Sequence, residues 1–73
     1  MNMEDIINKW AYINSNQDIL YKIIRIHDTD SILKAELSAN NGATAYEPLT
    51  KLTFITDPAK VHELETERIH NGL

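Results

Sequence analysis

Residues 31–47 read Ser31-Ile32-Leu33-Lys34-Ala35-Glu36-Leu37-Ser38-Ala39-Asn40-Asn41-Gly42-Ala43-Thr44-Ala45-Tyr46-Glu47. Leu33, Ala35 and Leu37 share one parity, and Ile32, Lys34 and Glu36 share the other. That is the apolar-in, polar-out alternation of a half-buried antiparallel strand. Asn41-Gly42 then predicts a two-residue type I′ hairpin turn, since both central positions need positive φ, which Asn tolerates and Gly adopts freely. The turn joins Ser31–Asn40 to a strand covering Ala43 to Glu47. Pro48 closes that strand because it has no N–H to give the ladder.

Upstream, Ile19 to His27 is dense in β-branched and aromatic residues and reads as a strand. Its alternation breaks: Tyr21 and Ile23 share one parity, Ile24 and Ile26 the other. A bulge near Ile24-Arg25 returns Ile26 to the face of Tyr21 and Ile23 and bends the strand. Asp28-Thr29-Asp30 is expected to turn the chain into the next strand, and the polar run Asn14–Asp18 to form a loop. Met3, Ile6, Ile7 and Trp10 have helical spacing, with Asn2 as a cap and Glu4 and Asp5 in the first turn. They predict a short helix over residues 1–10.

Downstream, Leu49-Thr50-Lys51-Leu52 reads as one 3₁₀-like turn and Thr53-Phe54-Ile55 as a brief last strand. Asp57 as N-cap, Pro58 at the first helical position and Asn71-Gly72 as a stop delimit a helix over residues 57–71. Pro58, Val61, Leu64 and Ile69 form its narrow apolar stripe, which is expected to rest on the sheet.

The strand ending in Glu47-Pro48-Leu49, the tight turn ending in Leu52 and the strand Thr53-Phe54-Ile55 resemble the closing segment of SH3-like and Tudor-like barrels. The Tyr21-x-Ile23-x-x-Ile26 strand and the Asn41-Gly42 hairpin fit the same meander, over residues 9 to 56. The resemblance implies fold alone. The chain lacks the aromatic cluster of a proline-peptide groove and the four-aromatic cage for methylated side chains, so no functional residue is carried over. The expected fold is thus one α+β or mostly-β domain over residues 1–73. It has an N-terminal helix (1–10), a curved antiparallel sheet of SH3-like barrel type with four or five strands (11–56), and a C-terminal helix (57–71).

Seventy-three residues support one domain with a thin core, since a chain this short buries only about 60% of its unfolded surface. There is no cysteine, which rules out disulfides and thiolate zinc sites. A hydrophobic fraction of 42% and a charged fraction of 25% are ordinary for a globular chain, and a net charge of −4 argues against a protein that coats nucleic acid. No apolar run approaches the roughly 18 residues of a membrane span. Met1-Asn2-Met3-Glu4-Asp5 is acidic where a secretory signal is basic, so a cytoplasmic location is expected.

Catalytic, metal and cofactor chemistry finds little support. His62-Glu63 opens like a helical zinc motif, but Thr66 stands where the second histidine belongs. His62 with Glu65, and Glu67 with His70, are spaced as solvated helix pairs. His27 beside Asp28 and Asp30 reads as turn chemistry, and Ser15, Ser31 and Ser38 lie in no nucleophile elbow. Gly42 alone builds no phosphate cradle. The chain is therefore expected to be no enzyme and to carry no cofactor.

The expected activity is docking on a protein partner, with a regulatory or inhibitory effect, through Ile6, Trp10, Tyr12, Tyr46, Val61, Leu64 and Ile69. Apolar stripes that a small barrel leaves uncovered also predict a homodimer. Trp10, Tyr21 and Phe54 have a competing place in the core. The alternative is a nucleic-acid-associated barrel using Lys22, Arg25 and Lys34 from neighbouring strands, with Lys22 and Lys34 expected on one outer face, Lys9 nearby and Tyr12 or Tyr46 for stacking. Asp57, Glu63, Glu65 and Glu67, with Glu4 and Asp5, give a minor variant in which acids imitate nucleic acid toward a basic partner.

Overall fold

The computed structural model describes residues 3–73. Five antiparallel strands, β1 (Trp10–Ile13), β2 (Asn16–Thr29), β3 (Ile32–Ala39), β4 (Thr44–Pro48) and β5 (Leu52–Phe54), precede one helix, α1 (Pro58–His70). The sheet order is β4-β3-β2-β1-β5. The two outer strands do not pair with each other, so the sheet is open rather than a closed barrel.

β2 is the spine, pairing with β1 on one side and β3 on the other. Opposite β3 its register slips by one between Ile23, which faces Leu37, and Arg25, which faces Glu36. Ile24 is the extra residue, as the broken alternation requires. Ile26 consequently faces Ala35 and packs on the core beside Tyr21 and Ile23.

Residues directly opposite in an antiparallel ladder share a face. One face carries Ala11, Tyr21 and Ala39, then Ile23, Leu37 and Ala45, then Ile26 and Ala35. Ile6 and Leu52 complete its buried cluster, with Ile13 and Phe54 packed against it. We call this the inner face. The outer face carries Trp10, Lys22, Ser38 and Thr44 in one row, Arg25, Glu36 and Tyr46 in the next, and His27, Lys34 and Pro48 in a third.

Among the described residues, the expected helix over residues 1–10 is absent. Met3–Asp5 forms one 3₁₀ turn, and Trp10 already belongs to β1. The cap assigned to Asn2 lies outside the described residues. Asn8 takes a φ of 76°, a left-handed conformation that breaks any helix. Its N–H donates to the Ile23 carbonyl at 2.7 Å, and the Lys9 carbonyl accepts from the Ile23 N–H at 2.9 Å. Pairing with β2 thus outcompetes two turns of marginal helix.

Three turns also differ from expectation. The polar run Asn14–Asp18 is mostly strand: only Asn14-Ser15 turn, and Asn16 faces Ile13 at the start of β2. The β2–β3 turn falls on Asp30-Ser31, with φ of 51° and 65°, because Asp28 and Thr29 stay paired with Leu33 and Ile32. At the β3–β4 hairpin only Gly42 takes positive φ, at 92°. The Ala39 carbonyl accepts from Gly42 N–H, and Ala39 N–H donates to the Ala43 carbonyl, which is a three-residue loop with a glycine bulge rather than a type I′ turn.

The later elements follow the sequence closely. Pro48 ends β4, Leu49–Lys51 form a 3₁₀ turn, and β5 pairs with β1, though it runs Leu52–Phe54 and omits Ile55. Asp57 caps α1 by accepting from the Ala59 N–H at 3.0 Å. At the other end Gly72 N–H donates to Ile69 and Leu73 N–H to Arg68, the Schellman pattern.

Leu37 is fully buried on the central strand pair, so Leu37→Ala is expected to cost about 2–5 kcal/mol in urea unfolding. An added Cβ at Gly42 would meet nothing within 4 Å, so the cost of Gly42→Ala is purely conformational. About 1–2 kcal/mol is expected in the same assay.

Candidate functional site

The outer face is divided. α1 lies over its Trp10–Lys22–Ser38 row, and the Arg25–Glu36–Tyr46 and His27–Lys34 rows are open. The helix meets the sheet through Val61, Leu64, Glu65 and Arg68, whose spacing of three and four places them along one side. Only Leu64 of α1 is buried. Ile69, expected in the apolar stripe, is 75% exposed, and Pro58 is also exposed.

Polar groups do the remaining work of docking. Glu65 Oε1 accepts from the Trp10 indole N–H at 2.9 Å, and Lys22 Nζ bridges both carboxylate oxygens at 2.9 and 3.1 Å. Arg68 donates to the Ser38 hydroxyl at 3.0 Å and, at 3.4 Å, to the Ser38 carbonyl and Asn40 Oδ1. Asn40 is the hub. Its buried amide donates to the Leu64 carbonyl and to Glu67, both at 2.9 Å, and its own carbonyl accepts from the Asn71 amide. No buried side-chain nitrogen or oxygen among the described residues lacks a partner.

Burial works to raise the Glu65 carboxyl, but hydrogen bonds from Lys22 and Trp10 and the charges of Lys22 and Arg68 outweigh it. The group is held below the usual carboxylate range.

On the open part, Glu36 accepts from or pairs with His27 at 3.2 Å and lies 3.8 Å from Arg25. The His27 ring meets Tyr46 edge-on at 5.5 Å, and Lys34 Nζ sits 5.5 Å from the Tyr46 ring centre. Tyr46 is 48% exposed. A shallow groove beside it is lined by Ile24, Thr44 and Ala45. Past the third row, Ile32 (50% exposed) and Leu33 form an apolar cleft with Pro48 and Leu49.

The residues expected to dock a partner are therefore dispersed. Ile6, Trp10 and Leu64 are buried within the chain's own packing, Tyr12 and Val61 are half-buried, and Tyr46 and Ile69 are exposed on separate elements. Lys22, Arg25 and Lys34 do share one face, but Lys22 is engaged by Glu65. The Asn40 hub, the Glu65–Trp10 bond and the Ile32–Leu33 cleft were not foreseen. The available signals were Glu65 and Arg68 falling beside Val61 and Leu64 on the wheel, and a second asparagine before Asn41-Gly42 that the turn itself does not need.

Among the described residues no group of three or more His, Asp and Glu side chains is placed to hold a metal ion. No helix among them is long and apolar enough to cross a membrane. Compared with protein-family models, characterised proteins and solved structures, the chain matches none.

Because the Glu65 value is depressed on folding, its stabilisation is complete above about pH 4.3 and is lost as pH falls through the lower folded value. Melting temperatures from pH 7 to pH 2.5 are expected to show wild type losing its advantage over Glu65→Gln only below about pH 4.3. Asn40→Ala removes the hub and is expected to cost about 1–3 kcal/mol in urea unfolding, with α1 amide resonances shifting most by NMR.

Proposed function

We propose that this chain is a non-catalytic interaction module that docks on a protein partner and regulates it through the open part of the outer sheet face. One observation carries this reading: α1 covers a single end of that face, leaving Tyr46 and Ile32 about half exposed on a rigid sheet beside the unpaired edge of β4. A half-exposed tyrosine with an apolar body and polar tip is the kind of anchor that interfaces enrich. The nearby Ile24 groove and the Ile32–Leu33 cleft offer places for apolar side chains of a partner, and the free β4 edge offers main-chain pairing. Of the residues expected to dock, Tyr46 belongs to this surface. The strand order, the 3₁₀ turn before β5 and the β1–β5 pairing support the finer reading that the sheet is of SH3-like type.

A second reading, nucleic-acid association, is favoured by Arg25, Lys34, His27 and Tyr46 lying together on the same open face. Glu36 in their midst and the diversion of Lys22 to Glu65 weaken it. A tagged chain used to capture partners from its native host separates these outcomes. Tyr46→Ala and Ile32→Asp are expected to abolish capture of a specific protein at unchanged melting temperature. Oligonucleotide binding at low salt that vanishes with Arg25→Glu and Lys34→Glu would instead establish the second reading. Light scattering identifies the case in which the partner is a second copy.

A further inference from the structure

We propose that the sheet surface beneath α1 is itself a binding site, which α1 occupies in cis and vacates for a partner's amphipathic helix bearing an apolar residue followed directly by an acidic one. This surface is distinct from the open part of the outer face and rests on the interaction-module reading only for the existence of a partner.

The helix is separable from the core. The buried cluster of the inner face draws on residues 6 to 52 alone, and α1 contributes nothing to it. Trp10 and Leu64 are buried outside that cluster, where sheet and helix meet. Apart from buried Leu64 and half-buried Val61, the contacts that hold α1 are hydrogen bonds and an ion pair, from Glu65, Arg68, Asn40 and Asn71. Water and salt compete for such groups, so an element held by them opens more readily than the strands.

The strand positions beneath the helix are set by the sheet. Trp10 is fixed by its pairing with Lys22, and its carbonyl accepts from Ile55 N–H at 2.9 Å; Ser38 is fixed in register between Lys22 and Thr44. An indole N–H and an ammonium converging on one point form a receptor for a carboxylate. A groove lined by Ile6, Trp10, Phe54 and Ile55 adjoins it, with Val61 of α1 as one wall. The seated helix thus states the ligand chemistry: an apolar side chain at position 64, a carboxylate at 65 and a donor one turn on at 68.

Hydrogen exchange on the wild-type chain tests separability. Amides of residues 62–70 are expected to exchange through an opening at least tenfold more populated than the one that exposes Ile23 and Leu37. Equal opening would overturn the proposal. The second test uses Glu65→Lys in the full chain and a fluorescent peptide of residues 57–73. Trp10, the single tryptophan, is expected to emit further to the red in this variant, with the strand signal in circular dichroism retained. The peptide is expected to bind it at least tenfold more tightly than wild type and to restore the blue emission, and a peptide carrying Glu65→Lys is expected not to bind. An emission that stays blue, a peptide that fails to bind, or loss of the strand signal along with Trp10 burial would each overturn the proposal. None of these results bears on capture through Tyr46 and Ile32, so the two proposals fail separately.

Discussion

The side-chain period of a strand is two, and a single extra residue inverts everything beyond it. In β2 that residue is Ile24. Without the slip, Arg25 and His27 would point to the inner face and Ile26 to solvent, burying a guanidinium among Ala35, Leu37 and Tyr21. With it, Tyr21, Ile23 and Ile26 line one core, and Arg25, His27 and Lys22 line the opposite surface. The slip joins Ile26 and Ala35 to the hydrophobic cluster and sets Arg25, Glu36 and Tyr46 on the outer face, because β3, and β4 through it, take their register from β2.

The two faces are stabilised by different physics. The inner face is held by burial of alkyl and aromatic surface, with Ile23, Leu37, Ala11 and Ala35 fully enclosed. One end of the outer face is covered by a helix whose single buried side chain, Leu64, supplies about 1.5–3 kcal/mol, and half-buried Val61 and polar contacts worth about 0.5–1.5 kcal/mol each supply the rest. Several of these must act together to hold α1, which is why Asn40 uses its amide nitrogen, its amide oxygen and its backbone carbonyl at once. A small chain without disulfides thus attaches its last element by specificity of pairing more than by buried area.

Much of the scaffold was legible in the chain. Alternation marked β3, the broken alternation marked the bulge, and Pro48, Asp57-Pro58 and Asn71-Gly72 marked ends that local chemistry alone enforces. What misled was short-range periodicity in competition with long-range pairing. Ile6, Ile7 and Trp10 have helical spacing, yet the Ile23 backbone claims the Asn8 N–H and the Lys9 carbonyl. Asn16 to Asp18 look like loop because they are polar, but a strand that overhangs the core needs no apolar residue. On the open part of the outer face, Tyr46 is among the residues expected to dock a partner, whereas Ile32 falls on the polar side of its strand and its cleft with Pro48 and Leu49 is invisible in the sequence. That cleft joins residues fifteen to seventeen positions apart.

The order of residues alone determined where β4 ends and where α1 begins and ends, which side of β3 is apolar, and that Ile24-Arg25 must break the rhythm. Each of these depends on the conformational limits of a few neighbouring residues. Only the folded chain decided that Trp10 would be enclosed, that Glu65 would meet it and Lys22, and that Asn40 would join a hairpin loop to a helix. Those contacts span 24 to 55 positions, and the preference of a carboxylate for one donor over another appears only when the donors share a partly dehydrated space.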